Sequence, residues 1–70
     1  MNTIVLRQKL QAVIDTMDAL NVALADLERN ASEVNAMTLL DEARELGHRV
    51  EPIYYETLEV YIAVVKEARK

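Results

Sequence analysis

Residues 45–52 read Glu45-Leu46-Gly47-His48-Arg49-Val50-Glu51-Pro52, and they hold the only glycine and the only proline in a chain of 70 residues. The fold turns on whether this octet breaks a helix. Gly47 is a natural residue just past a helix C-terminus, and Pro52 suits the first turn of a new helix. A connector of this length favours antiparallel neighbours. The composition around it is helical: Ala, Leu, Glu and Arg dominate, and no Asn-Gly turn is present.

Upstream, Leu6, Leu10, Val13, Met17, Leu20, Leu24 and Leu27 alternate in steps of four and three. That spacing predicts an amphipathic helix over about 3–29 with a heptad seam, widened by Ile14. Ala12, Ala19 and Ala23 flank the seam and let another backbone come close. Thr3 stands where an N-cap belongs. Asn30-Ala31-Ser32 interrupts the pattern, and Ser32 is placed to cap a second helix with Glu33 favourable to its dipole. Because Ala31 and Val34 continue the first seam, one helix running through the interruption is the competing reading. The second helix spans about 33–46 with a narrower stripe of Ala36, Leu39, Leu40, Ala43 and Leu46. The third spans about 52–69. The expected architecture is a single all-α domain over 1–70, a small helical hairpin or three-helix domain.

The last segment is the greasiest. On a wheel of 100° per residue, Ile53, Tyr54, Tyr55, Leu58, Val60, Tyr61, Ile62, Val64 and Val65 fall in an arc of roughly 220°, whereas an ordinary surface helix needs about 100°. Tyr54, Leu58, Tyr61 and Val65 are expected to pack inward, leaving Ile53, Val60 and Val64 exposed in a monomer. A contiguous exposed apolar surface marks an interface. The candidate partner-binding residues are therefore Ile53, Tyr55, Val60, Tyr61, Ile62 and Val64, with Leu6, Leu10 and Val13 from the first helix. The leucine seam can pack within the chain or form a coiled coil with another.

Chemistry is sparse. Without cysteine there is neither disulfide nor thiolate zinc site. His48 follows Glu45 at the spacing found in carboxylate-bridged iron bundles, but such bundles need two copies of the motif and further glutamates. Asp15/Asp18 and Asp41/Glu45 lie on polar helix faces, where paired carboxylates are solvated rather than catalytic. Neither a catalytic residue nor a cofactor is expected, and the chain reads as non-enzymatic. The net charge of -4 argues against nucleic-acid binding. Arg7 and Lys9 follow Ile4-Val5-Leu6 at once, so neither a secretory leader nor a membrane span is expected. A cytoplasmic location fits these features.

Length, absence of cysteine, the stretches LRQKLQAV and VALADLER and the apolar YIAVV together resemble the co-chaperones of type III secretion needle subunits, the YscE/PscE/EscE type. The resemblance covers most of the chain. It implies a cytoplasmic, virulence-associated protein without enzymatic activity. Such a protein pairs with a larger helical-repeat chaperone and keeps the needle subunit soluble. The family hairpin consists of two long helices, whereas three are expected here. Three rival readings stand beside it. One is a self-assembling helical bundle built on the Leu6–Leu27 seam. Another is a small acidic regulatory protein, an inhibitor or antitoxin, whose partner binding would be strongly salt-sensitive. The third is an enzyme or metal carrier, which would have to retain a metal through His48.

Overall fold

The computed structural model describes residues 3–69 and contains two helices, α1 (Ile4–Arg29) and α2 (Glu33–Ala68), with no strand among the described residues. They form an antiparallel hairpin. The expected third helix does not exist as a separate element, because α2 runs unbroken through Gly47 and Pro52. Gly47 takes no left-handed conformation. Pro52 lacks the N–H that would bond the His48 carbonyl, a loss of about 3 kcal/mol within a helix. His48 is exposed, so its carbonyl lies on a wet stretch of the helix. The heptad that holds α2 together across this point is Leu39, Leu46, Ile53 and Val60, spaced by seven residues.

The turn forms where the sequence places it, and the two helices are not one. Asn30 and Ser32 are extended, and the Ser32 hydroxyl accepts from the Asn35 amide at 3.1 Å. Asn35 also closes the turn from its side chain, donating to the Asn30 carbonyl at 2.9 Å and to Asp26 of α1 at 3.3 Å. Thr3 occupies the N-cap position of α1 but makes no side-chain cap bond.

Register follows from three cross-links. Lys9 pairs with Glu56 at 2.9 Å, Arg49 donates to the Ala12 carbonyl at 3.3 Å, and Asn35 reaches Asp26. With Lys9 opposite Glu56, the start of α1 comes level with about residue 61, so the last two turns of α2 run past it. The result is a rod of 59 × 14 × 13 Å. Its radius of gyration is 17.0 Å, against about 11 Å for a compact chain of this length.

Candidate functional site: an apolar face on the hairpin

Two helices cover one stripe of each other and nothing more. On α1 the covered residues are Leu6, Lys9, Val13, Thr16, Leu20, Ala23 and Leu27, with Ala12, Ala19 and Asp26 at their edge. On α2 they are Asn35, Leu39, Glu42, Leu46, Ile53, Glu56 and Val60, with Arg49 at their edge. Among the described residues only Thr16 and Ala23 are buried. This seam differs from the expected one at every second position. Lys9, Thr16 and Ala23 point inward where Leu10, Met17 and Leu24 were expected, and those three large side chains stay exposed. The reason is steric. Ala12, Ala19 and Ala23 let α2 approach on their side, and Thr16 folds its hydroxyl onto the Ala12 carbonyl at 2.8 Å.

The C-terminal segment is also inverted relative to the expectation. Ile53 and Val60 belong to the seam and are half-buried. Tyr54 and Tyr61, expected inside, are 67% and 64% exposed. Leu58 is exposed as well. Val65 is half-buried. Val64 continues the inner stripe beyond the start of α1 and is exposed as expected, with Ala63, Glu67 and Ala68 around it. The cause is the single α2: once Leu39 and Leu46 face α1, a continuous helix carries Ile53 and Val60 to the same side.

Eight of the exposed large apolar residues share one side of the rod, whereas Ile4, Val5, Val22, Val34, Met37, Tyr55, Leu58 and Ile62 lie elsewhere on the surface. Relative to the seam, Leu10, Ile14, Met17 and Leu24 lie about 90° around α1, and Leu40, Val50, Tyr54 and Tyr61 about 120° around α2, while Leu58 and Met37 share the outer back of α2. The rotation runs with chain direction in each helix. Because the helices are antiparallel, both rotations lead to the same side. The opposite side is defined by a shallow groove of Ala12, His48, Arg49 and Pro52, which lie the other way around their helices. Asp15, Asp41, Glu45 and Glu59 share that side with it. Small residues Ala36, Ala43 and Gly47 separate the large ones on the α2 half of the apolar face. The rings of Tyr54 and Tyr55 meet edge-on at 5.5 Å, with Tyr55 turned away from the face.

Each candidate interface residue now has a place. Leu6, Val13, Ile53 and Val60 line the intrachain seam. Leu10 and Tyr61 lie on the apolar face, Val64 is exposed between the seam and that face, and Tyr55 and Ile62 are exposed off it. Sequence reasoning missed Ile14, Met17, Leu24, Leu40, Val50, Tyr54 and Leu58 as surface residues. The signal was present in the 4-3-4-3 spacing of Leu10, Ile14, Met17, Asn21 and Leu24, a second heptad offset from the first.

Glu45 pairs with Arg49 at 2.8 Å, Asp41 lies 3.9 Å from Arg44, and Asp26 pairs with Arg29. Among the described residues there is no cluster of three or more metal-ligating side chains and no helix long and apolar enough to cross a membrane. The chain matches no protein-family model, and no curated protein and no solved structure is detectably similar to it.

Proposed function

We propose that this chain is a non-enzymatic binding module that works by laying its apolar face against another helical protein. The observation that carries the reading is the distribution of side chains: the outer face is more apolar than the seam that holds the hairpin together. The seam contains Lys9, Thr16, Glu42, Arg49 and Glu56, whereas the outer face presents leucines, Ile14, Met17 and two tyrosines. At about 25 cal/mol per Å², covering a few hundred Å² of that face contributes several kcal/mol before association costs. This is comparable to the whole stability of a small domain, so folding and binding are linked.

In its narrower form the reading is that of a cytoplasmic co-chaperone. The hairpin pairs with a larger helical-repeat chaperone and helps keep a type III secretion needle subunit soluble. Two long helices joined at Asn30–Ser32 support this form, because the family hairpin has that shape. The test is affinity purification of the full chain from its native host beside a Tyr54→Glu variant. The reading expects a helical-repeat protein retained by the parent chain and lost with the variant. Equal retention by both, or retention that vanishes with moderate salt, contradicts it.

A further inference from the structure

We infer that a second copy of this chain occupies the apolar face when no other partner does, the two hairpins lying antiparallel as a four-helix bundle. The inference rests on the reading of that face as the working surface, and it names the occupant.

Area argues first. A compact folded monomer of 8.0 kDa exposes about 4,450 Å². This chain exposes 5637 Å², roughly 1,200 Å² beyond the compact value. A stable protein–protein interface buries about 800 Å² per partner. The excess is therefore large enough for a full interface, and a rod one helix-pair thick has no means of covering it alone.

Shape argues second. The α2 half of the face is bulky towards the open end of the hairpin, at Tyr54 and Tyr61. It is small towards the turn, at Ala36, Ala43 and Gly47. A two-fold axis across the rod, perpendicular to its length, stacks α2 on α2 with reversed direction. Placed between the levels of His48 and Arg49, that axis sets Tyr54 beside Ala43 of the other copy and Tyr61 beside Ala36. On the α1 half it sets Leu10 beside Met17, and Asn21 is the one polar residue in the apolar row, the type of residue that fixes register.

Charge argues third. The turn end carries Asp26, Glu28 and Glu33 against Arg29, and the open end carries Arg7, Lys66 and Arg69 against Glu67, so the two ends are of opposite net charge. The antiparallel arrangement brings these opposite charges together. A parallel arrangement gathers the cations of both copies at one end and the acids at the other.

The test is sedimentation equilibrium of the full chain over a wide concentration range, with Tyr54→Glu, Met17→Glu and Val34→Glu variants. Val34 lies on the opposite side of the rod and is the control. We expect a mass twice 8.0 kDa for the parent chain and for Val34→Glu. Self-affinity should fall by roughly a hundredfold or more in the two face variants, which bury an unpaired carboxylate. Circular dichroism of each variant establishes that the helices persist. Spin labels on an Asn30→Cys variant, in a chain with no other cysteine, should lie about 50 Å apart, as the rise per residue requires for turns at opposite ends. A single subunit at every concentration overturns the inference, as does a dimer indifferent to both face charges, or turns that lie side by side. The two readings separate cleanly. A single subunit that binds an apolar dye through Tyr54 overturns self-pairing and leaves the binding face standing. A single subunit that binds no dye overturns both.

Discussion

Lys9 and Glu56, 47 residues apart in sequence, meet at 2.9 Å across the hairpin. Their pairing fixes which turn of α1 faces which turn of α2. It also occupies a seam position that an apolar side chain would otherwise fill, and Leu10, the next residue, is turned outward. The polar seam and the greasy face are thus two results of one register.

The pair itself is partly wet, so its net contribution is small. Lys9→Ala or Glu56→Ala should each destabilise the chain by about 1 kcal/mol or less. Urea melts at low and high salt check this. The difference between parent and variant should shrink as salt rises.

The continuity of α2 makes Pro52 a liability rather than a helix start. Pro52→Ala should stabilise the chain by roughly 1–3 kcal/mol, because it restores the missing donor to the His48 carbonyl and removes the ring clash. Thermal melts followed by circular dichroism decide it. An unchanged or lower melting temperature would place a true break between Gly47 and Pro52.

The turn depends on two side chains. Ser32→Ala removes the cap of α2 and should cost about 1 kcal/mol. Asn35→Ala removes both bonds that tie the turn to Asp26 and Asn30, and should cost about 1–2 kcal/mol. Denaturant titration of each variant and of the pair measures the coupling, and the double variant should lose less than the sum if the two act as one unit.

The assignment of sides is testable by charge. Ile53→Asp places a carboxylate in the seam and should cost about 3 kcal/mol or more, enough to unfold a small domain. Tyr54→Asp, one residue away, should leave the helicity of a dilute sample unchanged. Far-ultraviolet circular dichroism at low concentration distinguishes the two. Equal damage from both would contradict the arrangement.

The first helix and the turn were legible in the sequence: the leucine spacing, Ser32 with Glu33 behind it, and the polar break at Asn30 are local signals. The second helix was not. Gly47 and Pro52 are the strongest local breakers in the chain, and they were overridden by a non-local fact, the Leu39-Leu46-Ile53-Val60 heptad packing against α1. The apolar arc of the last segment was legible, but its inward side was not. A wheel shows which residues share a face, while the choice between faces is made by the partner helix. Here the alanines of α1 decided that choice, and Lys9, Thr16 and Ala23 went inside in place of Leu10, Met17 and Leu24.

The most direct measurement uses two methionines. Met17 lies on the apolar face and Met37 away from it, and both are about half exposed in the isolated hairpin. Their methyl signals can be followed by nuclear magnetic resonance with a soluble paramagnetic agent while the chain is concentrated. The account predicts that the Met17 methyl becomes protected as concentration rises while Met37 stays accessible throughout. Two methyls that remain equally accessible at every concentration, or protection of Met37 alone, would contradict it.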